Sequence, residues 1–146
     1  MTVELLPDPC ALEAALPKQQ NILIVDDDAP LVEALSLRLR QQGFGVLTAD
    51  SGSEALVVAR ENQPCLILLD LRLPDTNGWL VCTKLADDQP TCHIPVIILS
   101  GMERPDIIRR SRAAGCQYFV RKPYDPNALL ILIQHAIAEA SQWQSV

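Results

Sequence analysis

The apolar run ILIV (22–25) ends in three adjacent carboxylates, Asp26, Asp27 and Asp28. Other polar groups follow apolar runs later in the chain. Asp70 stands after CLILL (65–69), Ser100-Gly101 after IPVIIL (94–99), and Arg121-Lys122-Pro123 after YFV (118–120). Clustered carboxylates repel: two of them about 5 Å apart cost ~3 kcal/mol at an effective dielectric of about 20. A hard divalent cation offsets that cost. Mg²⁺ takes one or two protein carboxylates, keeps several waters and shares its remaining positions with phosphate. Lys122 adds a positive charge, and Ser100 a hydroxyl that can donate to a phosphoryl oxygen. A metal, a lysine, a hydroxyl and a spare carboxylate suit phosphoryl transfer, which rests on positioning and charge stabilisation. Asp70 is the spare carboxylate, able to act as nucleophile and give an aspartyl phosphate.

These residues are far apart in sequence, so the fold must bring them together. With FGVLTA (44–49), the apolar runs number five, short and rich in β-branched residues, as buried strands are. Segments of helical length separate them. Leu31, Leu35 and Leu39 share a face of the first; Ser53–Asn62, Gly78–Asp87 and Pro105–Ala114 form the next three. The last runs from Asp125 to about Trp143, with Leu129, Leu132, Ile133, Ala136, Ala140 and Trp143 on one side. Strict alternation predicts an α/β fold: a doubly wound parallel sheet with helices on both faces. Such sheets bind ligands beyond the carboxyl ends of their strands, where Asp26–Asp28, Asp70, Ser100 and Lys122 all fall.

Composition narrows the field. A chain of 146 residues suggests one domain, and 49% hydrophobic residues argue against disorder. A net charge of −6 argues against direct binding to nucleic acid. No apolar run reaches membrane-spanning length, and MTVELLPDPC lacks the pattern of a signal peptide, so a cytoplasmic protein is expected. The five cysteines, Cys10, Cys65, Cys82, Cys92 and Cys116, include no Cys-x-x-Cys pair and read as free thiols. Residues 1–19, broken by Pro7, Pro9 and Pro17, read as an N-terminal arm, residues 20–141 as the domain and 142–146 as a tail. With so little chain after the last helix, output through a partner is expected rather than through a second domain.

Taken in order and spacing, IVDDD, ILLDLRLPDTNG, VIILSG and FVRKP resemble the receiver domain of two-component response regulators, over residues ~20 to ~141. The resemblance implies the flavodoxin-like five-stranded sheet with strand order 2-1-3-4-5. It implies Asp70 as phosphoacceptor, Asp27 as direct Mg²⁺ ligand, and Asp26 as an acid acting through metal-bound water. The carbonyl of Arg72 matches the backbone metal ligand, Ser100 the switch hydroxyl and Lys122 the phosphate-pairing lysine. Pro123 matches a proline usually preceded by a cis bond, and Phe119 an aromatic that changes rotamer on activation. Pro74 and Gly78 fit the loop after the phosphoacceptor, with Gly78 relieving a tight turn. The implied partners are a histidine kinase or phosphotransfer protein upstream and an effector or phosphorelay protein downstream. On this reading the chain is a stand-alone switch, not an enzyme beyond its own phosphorylation and slow dephosphorylation.

Other readings compete. Asp26-x-Asp28 also resembles the start of haloacid-dehalogenase-type phosphatases, with Asp26 as nucleophile. Pro30 stands where that pattern expects Thr or Val, and the chain leaves no room for the usual cap. A receiver-like module inert to phosphate is the third reading. Asp28 reads as a helix N-cap rather than a ligand. His93 and His135 read as surface residues. Arg104, Arg109, Arg110 and Arg112 are either a solvated helix face or a docking site for an acidic partner. Ile131 points away from the predicted sheet-facing side of the last helix, which suggests weak dimerisation. The resemblance to receivers also implies that the residues two after Asp70 and two after Ser100, here Arg72 and Met102, flank the approach of a hydrolytic water; neither suits orienting it, so a long-lived phosphoryl group is expected.

Overall fold

The computed structural model describes residues 20–144. Five parallel strands alternate with five helices: β1 Asn21–Val25, α1 Ala29–Gln41, β2 Gly45–Ala49, α2 Gly52–Asn62 and β3 Leu66–Asp70, followed by α3 Gly78–Asp87, β4 Val96–Ser100, α4 Ile107–Ala113, β5 Tyr118–Arg121 and α5 Pro126–Gln144. The sheet order is β2-β1-β3-β4-β5, every pair parallel, which is the doubly wound, flavodoxin-like order. The expectations for residues 1–19 and for the Trp143 side chain lie outside what the structure describes.

The sequence of the strands explains the layering. Parallel strands covered on both faces read as unbroken apolar runs. Alternate side chains point to opposite faces. Leu23, Val25, Ile67, Leu69 and Ile98 enter the core with Ala55 and Ala59 of α2, Trp79, Val81, Cys82 and Leu85 of α3, and Ile107 of α4. Ile22, Ile24, Leu66, Leu68, Ile97 and Leu99 enter the other, with Leu35 and Leu39 of α1 and Leu129, Ile133 and Ala136 of α5. Each fully buried Leu or Ile contributes about 1.5–3 kcal/mol of transfer free energy, so the three central strands hold the sheet and fix its edge.

Local chemistry sets the helix starts. Asp28 caps α1, accepting the Leu31 N–H at 3.3 Å, and Pro30 sits in the first turn, where its missing N–H costs nothing. Ser51 caps α2 through the Glu54 N–H at 3.2 Å, and Asn77 caps α3 through the Leu80 N–H at 2.9 Å. The fourth helix is shorter than its sequence suggests. It begins at Ile107, because Asp106 makes no capping bond with its side chain and pairs instead with Arg104 at 3.1 Å.

One expectation fails. Cys82 and Cys116 are not free thiols; they form a disulfide between α3 and the segment before β5. The two cysteines are 34 positions apart, and only the packing of α3 beside the β5 start juxtaposes them. Cys65 and Cys92 are free thiols.

Candidate functional site

The carboxyl ends of β1, β3, β4 and β5 form one edge. Ligand atoms from Asp26, Asp27 and Asp70 lie within 4.8 Å of one another there. Asp26 is buried, Asp27 is exposed, and the Asp70 side chain keeps 12% of its surface. Parallel pairing in register explains the meeting: Val25 pairs with Leu69, so the residues that follow on the two strands emerge side by side.

Lys122 arrives from the end of β5. Its ammonium donates to Asp26 Oδ2 at 2.8 Å and stands 3.7 Å from Asp70 Oδ2. The Lys122 N–H bonds to the Ser100 carbonyl at 2.9 Å, and the Lys122–Pro123 peptide is cis, as the resemblance implied. Ser100 ends β4, fully buried, and its hydroxyl accepts the Met102 N–H at 3.0 Å. Arg72 turns its side chain to solvent while its N–H reaches Asp70 Oδ1 at 3.3 Å. Phe119 is half-buried and packs against the core under α2, α3 and α4.

The electrostatics follow from this crowding. Burial and then the Asp26 charge raise the pKa of Asp70; Lys122 and the N–H groups of Arg72 and Leu71 offset part of the rise. Burial works against the charge on Lys122. The hydrogen bond to Asp26 and the charges of Asp70, Asp26 and Asp28 outweigh it, so the Lys122 pKa is raised. The set is hard-oxygen in character, acidic and part-buried, which fits a small divalent cation better than a soft one.

Asp28 lies at this edge but is occupied as the α1 cap, and its own N–H bonds to Asp26 Oδ1 at 3.0 Å. His93 and His135 are exposed, and His135 faces Glu139 at 3.5 Å. The arginine cluster divides. Arg110 lies over the Trp79 ring at 4.1 Å and Arg104 at 5.5 Å, so these two cover a core residue. Arg109 and Arg112 are exposed. Ile131 is 68% exposed, on the outer side of α5.

Several supporting residues escaped the sequence reading. Asp75 accepts the N–H groups of Gly52 at 2.8 Å and Ser53 at 3.0 Å, which ties the loop after Asp70 to the start of α2 and lowers the Asp75 pKa. Trp79 donates its indole N–H to the buried Ser111 hydroxyl at 3.0 Å, joining α3 to α4. Gly78 has another purpose than a tight turn. Its φ is not positive; an added Cβ would stand 2.5 Å from the Asp70 carbonyl oxygen and 2.9 Å from Leu71 Cα. The helix start is pressed onto the backbone of the candidate nucleophile. The NG pair before a helix signals a cap, but nothing local in the sequence signals this approach.

Comparison with known proteins agrees with the geometry. Residues 22–134 match the family model for the response regulator receiver domain. The chain is 35% identical over 116 residues to the DNA-binding response regulator MtrA of Mycobacterium tuberculosis, covering 80% of this chain and 50% of that protein. It is 34% identical over 111 residues to the phosphate regulon transcriptional regulatory protein PhoB of Pseudomonas aeruginosa, covering 76% and 48%. The chain thus spans about half the length of the curated relatives it matches. A CheY-like receiver domain protein from Methanospirillum hungatei superposes with a TM-score of 0.80 at 27% identity, over 86% of this chain and 98% of that one. A putative response regulator from Chloroflexus aurantiacus gives 0.78 at 30% identity, over 83% and 99%. These matches favour neither the phosphatase nor the inert module. Among the described residues no helix is long and apolar enough to cross a membrane.

Proposed function

The chain belongs to the response regulator receiver domain family, and from that premise we propose that it is switched by transfer of a phosphoryl group to Asp70. The observation that carries this reading is the meeting of Asp26, Asp27 and Asp70 within 4.8 Å, with Lys122 at 3.7 Å from Asp70. An Asp70 oxygen forms the new bond to phosphorus as the bond to the donor breaks. The donor is a histidine kinase or a phosphotransfer protein. Attack requires the ionised carboxylate, and the Lys122 charge favours that form against burial and the Asp26 charge. Lys122 leans on Asp26 and can pair with a phosphoryl oxygen at Asp70 by a short movement of a flexible stem.

Asp26, Asp27, Asp70 and the Arg72 carbonyl would hold Mg²⁺, which when bound neutralises charge on the carboxylates and the phosphoryl oxygens. Ser100 ends the strand beside Asp70, its hydroxyl engaged by the Met102 N–H; a phosphoryl oxygen draws it away. Phe119, on the strand that pairs with Ser100, repacks in response. The altered face is read by a partner, an effector or the next phosphorelay protein, and not by nucleic acid directly. The protein works in the cytoplasm.

Acetyl phosphate with Mg²⁺, borohydride trapping and peptide mapping test the assignment. Label is expected on Asp70 and abolished in Asp70→Asn. Label on Asp26 instead would support the phosphatase reading and sink this one; no label on either would support the inert module.

A further inference from the structure

A cavity of about 400 Å³ opens at the other end of the sheet, by the amino ends of β4 and β5. Its walls include Cys82 of the disulfide, the free thiol Cys92, and Gly115 and Gln117 on either side of Cys116. Cys92 is exposed on a turn fixed to the end of α3: its N–H bonds to the Asp88 carbonyl at 2.8 Å, and the Thr91 hydroxyl bonds to the Leu85 carbonyl at 2.8 Å. Cys82 and Cys92 therefore line one solvent-connected space, and Cys116 lies in the chain between two further lining residues. Cys82 and Cys116 themselves are nearly buried, at 2% and 3%, and Cys82 is the member of the pair that lines the cavity.

The fold has a source of stability besides the disulfide. Two apolar cores already hold the sheet from both sides, and domains of this size fold on burial alone. In the cytoplasmic setting proposed above, on which this step rests, disulfides are usually transient, catalytic or redox-sensing. The position of the link is also suggestive. Cys82 lies one helical turn after Gly78, which presses on the Asp70 carbonyl. Cys116 lies just before β5, the strand of Phe119 that leads to Lys122.

We propose that Cys82–Cys116 is a reversible redox site, opened through this cavity by a dithiol reductant, with Cys92 as a third thiol able to exchange with it, and that its state is felt at the Asp70 edge. A thiolate of the reductant attacks Cys82 Sγ, and the Cys116 thiolate leaves and is protonated. The second thiol of the reductant then attacks its own sulfur in the mixed disulfide and releases Cys82. Two electrons and two protons pass to the protein, and the reductant ends as a disulfide. In exchange, the Cys92 thiolate attacks Cys82 Sγ and displaces Cys116 with no net oxidation. Opening the link frees α3 from the start of β5.

The test titrates the full chain with dithiothreitol under native conditions, followed by iodoacetamide alkylation, peptide mapping and far-ultraviolet circular dichroism. Cys82 and Cys116 are expected to become alkylated together with the dichroism unchanged, and, in a reduced sample left unalkylated, to re-pair when glutathione disulfide is added. In Cys116→Ser, mild oxidation is expected to link Cys82 to Cys92. The Mg²⁺-dependent affinity for beryllofluoride is expected to differ at least about threefold between oxidised and reduced protein. Alkylation only after the fold is lost, or of both cysteines in never-reduced protein, would overturn the redox site. A Cys116→Ser protein without the Cys82–Cys92 link would overturn the exchange, and equal beryllofluoride affinities the coupling to Asp70. No beryllofluoride binding in either state would overturn the phosphoryl reading, while the thiol map would still decide the redox site.

Discussion

Replacing Gly78 by alanine tests the packing that positions Asp70. The added Cβ would meet the Asp70 carbonyl oxygen at 2.5 Å, Leu71 Cα at 2.9 Å and the Asp70 carbonyl carbon at 3.2 Å. All three are backbone atoms of β3 and its exit, so no side chain can swing aside. Reaching even 3.0 Å requires α3 or the Asp70 backbone to move by about half an ångström. The Gly78 N–H bond to the Leu71 carbonyl, 2.9 Å long, resists that movement. Overpacking of this kind costs about 1–3 kcal/mol, and the better helix propensity of alanine returns at most about 1 kcal/mol. The expected loss is about 1–2 kcal/mol. With a urea slope of about 2 kcal/mol/M, the unfolding midpoint falls by about 0.5–1 M. Phosphorylation suffers more, since a misplacement near 1 Å can cost up to about a hundredfold. At least a tenfold slower labelling of Gly78→Ala by acetyl phosphate is expected. Gly101→Ala is the stability control: its added Cβ meets only Lys122 Cβ, at 3.9 Å. An alanine at position 78 with wild-type urea midpoint and labelling rate would refute the close-approach argument.

Four further outcomes are expected. The raised pKa of Asp70 means that the folded state binds its proton more tightly than the unfolded chain. Stability from this group is therefore present below the unfolded pKa and declines as pH rises through the raised one; Asp70→Asn should flatten that decline in urea melts across pH, and an unchanged profile would count against it. Mg²⁺ at ten times its Kd should stabilise the wild type by about 1.4 kcal/mol and Asp70→Asn less. Arg72→Asn with Met102→Glu should speed phosphate release from trapped phosphoprotein about tenfold, corresponding to ~1.4 kcal/mol of barrier; equal or slower release would clear these side chains of any control over water. Arg109→Glu with Arg112→Glu should abolish capture of an acidic partner while leaving Asp70 labelling intact, and unchanged affinity would refute the docking face. Arg110 is excluded from that test because its guanidinium covers Trp79.

The sequence by itself determined the alternation of strand and helix, because both-face burial forces unbroken apolar runs such as LILL and VIIL, and crossovers force the segments between them. It also determined which polar residues would share an edge, because each follows directly on a strand. Asp28 as a cap and Ile131 as an outward residue were legible for the same reason: each depends on spacing along one element. The contacts that only tertiary structure decided join elements distant in the chain. Register between β1 and β3 brings Asp26 and Asp70 together, and the end of β5 brings Lys122 within 2.8 Å of Asp26. Asp75 reaches the start of α2, Gly78 is pressed against Asp70, and Trp79 meets Ser111 and Arg110. Cys82 finds Cys116 across 34 positions, against the reading of free thiols. Periodicity records which face of an element is buried, but not which residue of a neighbouring element lies opposite; that is set by the packing of helices on the sheet.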